Sequence, residues 1–168
     1  MTIGDDTSVL ASLSEDEGRT RLLRFGYHDA WTLGRWSIER MTAESLVGAV
    51  TIFLADQRVF HAALAGTSAD LDLWLDRKVR VVRMYGRGSY YVKRLFLAEG
   101  RDFATESLHD PRELMAAGGG MPIRVGEAMV GVIAFSGWDE TGEHALAVAG
   151  LEALAAGQRA GAGERDGD

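Results

Sequence analysis

Two pairs of short apolar runs constrain the fold of this chain more than any other feature. The first pair, Val47–Ala55 and Val59–Leu64, is rich in β-branched and aromatic residues and is joined by a polar turn. The second pair is Ile123–Val125 and Val130–Phe135. Runs of this length, separated by turn residues, are typical of β-hairpins. We therefore predict four antiparallel strands, with room for a fifth near Phe103.

Helices are predicted between and around these hairpins, because apolar residues recur there at three- and four-residue spacing. The predicted helical segments are 29–41, 68–85, 90–97, a short helix at 111–115, and 143–156. Gly86 and Gly100 stand where helices commonly end, and Asp139 or Thr141 could cap the last helix. Antiparallel strands with helices on the faces predict an α+β fold, an α-β-α sandwich with a central antiparallel sheet.

The two ends of the chain differ from the middle in composition. The start is polar and acidic, and residues 157–168 (GQRAGAGERDGD) are of low complexity. Such segments bury too little apolar surface to offset the entropy of ordering them. We therefore expect residues 1–12 and 157–168 to be disordered, and residues 13–156 to form one domain.

Charge and cysteine content exclude several classes of function. A net charge of -7 argues against a nucleic-acid partner, which needs a basic face. The absence of cysteine excludes thiolate metal sites and covalent haem. No apolar run is long enough for a membrane span, and no leader pattern is visible, so we expect no membrane partner and a cytoplasmic protein. His28, His61 and His109 lie in separate elements without metal-site spacing, so we interpret them as structural and expect no metal.

Several longer motifs resemble a known family. They are DAWTLGRW (29–36), VFHAALAG (59–66), DLWLDRKVRVVRMYG (72–86), AAGGGMPIRV (116–125) and VGVIAFSG (130–137), followed by His144. Together they resemble the haem-degrading-domain superfamily, also called GlcG-like or HbpS-like. The resemblance is closest to its branch of small uncharacterised bacterial and yeast proteins.

The resemblance implies a profilin-like α-β-α fold, assembly into symmetric homo-oligomers and, in some members, haem binding. This chain departs from the branch at two points. It has Asp70-Leu71 before the tryptophan-bearing helix, where the branch has an acid followed by asparagine. It has Trp138-Asp139 after Ser136-Gly137, where the branch has Leu-Pro, and this second change alters the rim of the pocket.

Gly118, Gly119 and Gly120 form a turn with two interpretations. Their N–H groups could point together and hold a carboxylate, a phosphate or a haem propionate. Alternatively, they form a tight turn into a strand, with a positive φ at one or two positions. Arg77 and Lys78 also have alternative interpretations. They could bind an anion, could lie at an interface between subunits, or could be ordinary solvated charges.

His144 is the candidate acid–base residue. It lies near the start of the last predicted helix, where it could transfer a proton, ligate haem axially, or simply cap the helix. Ser136 and Trp138 are expected to line the same pocket. Trp138 follows a strand and is poorly placed for a monomer core, which favours a homo-oligomer.

Three functions are consistent with these residues. The first is an oligomeric protein that holds a small anionic or planar ligand, with haem as one candidate. Its crevice is formed by Gly118–Gly120, the Arg77/Lys78 helix and His144. The second is a cofactor-free enzyme of isomerase, lyase or cyclase type, in which His144 transfers protons and the glycine amides stabilise an anion. The third is an oligomeric protein–protein adaptor.

Overall fold

The computed structural model describes residues 3–163, and side chains between residues 6 and 162. Its elements, in chain order, are α1 (Ile3–Arg19), α2 (Tyr27–Ala43), β1 (Ala49–Leu54), β2 (Gln57–Ala63), α3 (Asp70–Tyr85), α4 (Ser89–Ala98), α5 (Phe103–Glu106), β3 (Gly120–Val125), β4 (Ala128–Ser136) and α6 (Glu140–Gly163). Both predicted hairpins are present, and each long helix predicted between residues 29 and 156 is present. The bounds agree within three residues, except that α6 continues beyond its expected end.

The four strands form one antiparallel sheet in the order β2-β1-β4-β3. Because strand side chains alternate between faces, β1 contributes to two cores. Val50 and Ile52 pack in the cluster shared with α2 and α6, whereas Ala49 and Phe53 pack against α3. The predicted α+β sandwich, with helices flanking a central antiparallel sheet, is confirmed.

Two local predictions are wrong. Phe103 begins the short helix α5 and is not in a strand. It is buried in a third apolar cluster with Val92 and Phe96, which accounts for the apolar signal there. The segment that begins at Pro111 forms a turn and not a helix.

The expected disorder of the N-terminal segment is corrected for the described residues, because α1 begins at Ile3. Leu13 is buried, and acidic side chains of α1 bind basic groups far along the chain. Asp6 forms an ion pair with Arg94, and Glu17 accepts hydrogen bonds from Arg87 Nε (2.9 Å) and Gly88 N (2.7 Å). The acidic residues that suggested disorder are therefore paired with groups distant in the sequence.

The C-terminal expectation is corrected in part. Helix α6 continues past residue 157 to Gly163, and Gln158 is buried, where its side chain binds the backbone of Leu23 and Arg24. Residues 1–2 and 164–168 lie outside the described residues. Between Ile3 and Gly163, no helix is both long and apolar enough to cross a membrane.

Replacing Glu17 with alanine tests how α1 is held. The Gly88 N–H would lose its carboxylate acceptor, so we expect Glu17→Ala to lower the free energy of unfolding by about 1–3 kcal/mol. Hydrogen exchange in α1 should become faster. Glu15→Ala is the matched control, because Glu15 is exposed on the same helix. Urea unfolding with equal losses for the two variants would contradict this account of α1.

Candidate functional site

A hollow of about 270 Å³ lies where α3, the end of β4 and the start of α6 meet. Its lining residues are Leu71, Trp74 and Lys78 from α3, Ala117 from the glycine turn, Ser136, Gly137 and Trp138 from the end of β4, and Glu140 and Glu143 from α6. We call it the Lys78 cavity. It brings together three of the predicted site residues, Lys78, Ser136 and Trp138.

Lys78 is almost completely buried at this cavity, with 2% of its surface exposed. Its Nζ donates to Glu143 Oε2 at 2.5 Å and to the Phe135 carbonyl oxygen at 2.8 Å. A longer contact, 3.4 Å, reaches Ser136 Oγ. Its position on the inner face of α3, beside Leu75 and Val79, explains why the cation is buried.

Glu143 is the partner that sequence reasoning missed. Asp139 caps α6 by accepting a hydrogen bond from Gly142 N at 2.8 Å, which places Glu143 in the first turn of the helix. Its Oε1 accepts from the N–H groups of Gly137 (2.7 Å) and Trp138 (3.1 Å). The position of Glu143 in a first helical turn was the only sequence signal for this residue. Its cationic partner, Lys78, lies far away in the sequence.

Burial dominates the proton affinities of this pair. Desolvation lowers the pKa of Lys78 and raises the pKa of Glu143, since each charged form loses its hydration. The attraction between the two charges opposes both changes. The ammonium–carboxylate and amine–acid forms of the pair are therefore closer in free energy than they are in water.

Trp138 is positioned by the absence of two side chains. A Cβ on Gly48 or on Gly142 would overlap its indole, and its ring contacts the ring of Phe135 edge-on at 6.2 Å between centroids. Trp74 lines the same cavity from α3 and carries the guanidinium of Arg77 over its ring at 5.3 Å. The cavity thus has two indoles among its walls.

The triple-glycine turn serves close packing. A Cβ on Gly118 would overlap the carbonyl oxygen of Glu140, and Gly119 has a φ of +107° against the Phe135 carbonyl. The amides are also engaged: Gly120 N donates to Ser89 Oγ at 3.0 Å, and Gly118 N approaches the Glu140 carboxylate at 3.4 Å. Two of the three amides that could bind an anion therefore already have acceptors within the chain. The tight-turn interpretation fits this geometry.

His144 and Arg77 do not line the cavity. Successive residues of an α-helix point about 100° apart, so Glu143 faces the cavity while His144 faces α1. There His144 Nε2 contacts Asp16 Oδ2 at 2.9 Å, and Tyr90 packs beside the imidazole. Arg77 Nε donates to the Arg112 carbonyl oxygen at 3.1 Å. The predicted convergence of the glycine turn, the basic helix and His144 is therefore incomplete. His144 lies on a different side of α6, and Gly118–Gly120 are not among the lining residues.

Residues 25–152 match the family described as haem degrading protein HbpS-like. The chain belongs to this family. A UPF0303 protein of Streptomyces avermitilis is 40% identical over 153 residues, which cover 90% of this chain and 94% of that relative. The resemblance inferred from the motifs is confirmed.

Solved structures share the fold. The crystal structure of the Ybr137w protein superimposes with a TM-score of 0.81 at 24% identity, covering 88% of each chain. A structure titled as a PduOC:heme complex matches with a TM-score of 0.66 at 15% identity, covering 77% of this chain and 94% of that one. At these identities the likeness concerns the fold.

The residues of the Lys78 cavity do not include a suitable ligand for the iron of haem. Haem iron is commonly held by histidine, cysteine, methionine or tyrosine, and none of these lines it. His144, the expected axial ligand, is 6% exposed and turned toward Asp16. A second hollow of about 380 Å³, on the outer side of α2, is lined by His28, Trp31, Thr32, Arg35, Trp36 and Glu39. It offers an imidazole, indoles and a guanidinium.

Substitution of Gly118 tests the packing role of the turn. In Gly118→Ala the new methyl group would overlap the backbone of α6, so we expect a loss of about 1–3 kcal/mol in the free energy of unfolding. Gly157→Ala is the control, since no described atom lies within 4 Å of a Cβ there. As a helix-interior change it should stabilise by up to about 1 kcal/mol. Urea unfolding in which Gly118→Ala is neutral would contradict the packing role.

Proposed function

We propose that this protein binds a small planar molecule in the Lys78 cavity. Two kinds of observation support the proposal. The cavity combines the indoles of Trp74 and Trp138 with a few converging polar groups, which is the usual composition of a small-molecule site. The chain also belongs to a family named for haem degradation, and a structural neighbour is titled as a haem complex.

The balance of charge favours a planar ligand without strong negative charge. Lys78 is paired with Glu143, and Lys93 Nζ is paired with Glu140 Oε1 at 2.6 Å at the cavity rim. Both lysines at or beside the cavity are therefore paired with carboxylates, and neither is an uncompensated charge that would attract a highly charged anion. Of the two ligand types considered from the sequence, anionic and planar, the second has the stronger support.

We further propose that the functional unit is a homo-oligomer. Tyr27 and Trp31 are 65% and 57% exposed on the outer side of α2, an unusual exposure for large aromatic side chains. Beside them, β2 forms an edge of the sheet, and within the described residues no strand pairs with its outer side. An exposed apolar helix next to an open strand edge is suited to contact with a second copy.

Benzyl alcohol, a small planar probe, tests the cavity. We expect saturation-transfer NMR to detect its binding, and we expect Trp74→Ala and Trp138→Ala each to weaken binding about tenfold, since each removes an aromatic wall. Met84→Ala is the control, because Met84 is exposed on α3 and does not line the cavity. Equal binding by all four proteins would overturn the assignment of the site.

Native mass spectrometry of the same proteins checks that the variants keep their assembly. The expected mass is a multiple of the 18.2 kDa subunit. A mass of one subunit at micromolar concentration would contradict the homo-oligomer and leave the cavity proposal standing.

Haem binding is the second candidate function, and the α2 hollow supports it. His28 is exposed there and is joined by Trp31 and Arg35, which are residue types suited to iron, porphyrin and propionate. We expect a hemin titration to shift the Soret band, and His28→Ala to abolish the shift. His144→Ala is the control and should leave the Soret shift intact. Loss of the shift in His144→Ala alone would place haem at His144, against this proposal.

A further inference from the structure

The chain contains only two lysines among eighteen basic residues. One, Lys93, is partly exposed and paired with Glu140 at the surface. The other, Lys78, is 2% exposed and lines the cavity. Elsewhere the chain uses arginine, which keeps its charge at any accessible pH and binds carboxylates well. A lysine at the buried position is the one basic side chain there that can lose its proton and become a nucleophile.

We propose that Lys78 forms a reversible imine with a small planar aldehyde bound in the Lys78 cavity, with Glu143 as the proton acceptor and donor. The inference rests on the proposed function, because it assigns the chemical class of the ligand at that same site. It adds a covalent step that simple binding does not require.

The contacts around Nζ supply the required proton path. Glu143 Oε2 lies 2.5 Å from Nζ, so one proton can pass to the carboxylate without any movement of the backbone. The other oxygen of Glu143 stays fixed by the amides of Gly137 and Trp138, which keeps the acid oriented. Burial lowers the pKa of Lys78 and raises the pKa of Glu143, and both changes favour that transfer.

Of the three contacts of Nζ, the one with Ser136 is the longest. Ser136 also lines the cavity. Nζ reaches Ser136 Oγ at 3.4 Å, compared with 2.8 Å to the Phe135 carbonyl. A carbonyl compound in the cavity can therefore displace the weakest contact of the amine. The Ser136 hydroxyl is then free to donate a hydrogen bond to the oxygen of the bound aldehyde.

The step balances without an added oxidant or reductant. The Lys78 ammonium gives one proton to Glu143, and neutral Nζ adds to the carbonyl carbon as the π electron pair moves to oxygen. A second Nζ proton moves to that oxygen, giving a carbinolamine. The carbon–oxygen bond then breaks, the hydroxyl leaves as water with the proton held by Glu143, and a protonated imine remains beside the carboxylate.

Reductive trapping tests the proposal in the full-length protein. Benzaldehyde is added at pH 7 with sodium cyanoborohydride, and the benzylated amines are located by peptide mass spectrometry. The chain offers few candidates: Lys78, Lys93 and the α-amino group. We expect modification at Lys78 to be about tenfold faster than at Lys93, because Lys78 lines the cavity that holds the aldehyde and burial lowers its pKa, which enlarges its neutral fraction. Lys93→Arg, which keeps a cation beside Glu140, should leave the Lys78 adduct unchanged.

The outcomes separate this inference from the proposed function. Benzyl alcohol binds without forming an imine, so its NMR signal reports the cavity alone. Benzyl alcohol binding with benzaldehyde adducts only at Lys93 and the α-amino group would overturn the imine and retain the binding site. No binding and no Lys78 adduct would overturn both. Because mapping is done in the unmutated protein, the result does not depend on whether a Lys78 variant folds.

Discussion

The buried pair of Lys78 and Glu143 holds together the elements that surround the proposed ligand cavity. It joins α3 to α6, and through the Phe135 carbonyl it joins both helices to β4. Two charges taken out of water are stabilised only when their remaining hydrogen-bonding positions are filled. Here Lys78 has three acceptors, and Glu143 accepts two backbone N–H groups in addition to the lysine. Removing one member would strand the other and would open the cavity that the pair lines.

Close backbone packing accounts for the walls of the same cavity. The first turn of α6 approaches the glycine turn so closely that no side chain fits at Gly118. Ser89, at the start of α4, binds the turn from the other side through Ala117 and Gly120. The glycines thus act by bringing α6 and α4 near to β3. Their contribution to a ligand site is indirect, since they place the acids of α6 and leave Ala117 at the cavity wall.

The sequence patterns correctly predicted the features that depend on local periodicity and composition. The hairpins, the apolar stripe of α3 and its end at Gly86 in a left-handed conformation follow from spacing and composition. Contacts between distant segments were not predictable in this way. Helix α1 looked disordered because the partners of Glu17 lie seventy residues along the chain. Which of the adjacent residues Glu143 and His144 faces the cavity depends on the rotation of α6 against the sheet, which local sequence does not specify.

Family membership leaves the ligand to be argued from this chain's own residues. The imidazole, indoles and guanidinium that suit haem lie together on the outer side of α2, whereas the buried cation–carboxylate pair lies near the start of α6. The two hollows share no lining residue and differ in chemistry: one exposes its polar groups to solvent, and the other pairs them away from it. The proposed haem site on α2 and the proposed carbonyl site beside Lys78 therefore depend on different residues. Retaining one proposed site does not require retaining the other, because no residue is common to both linings.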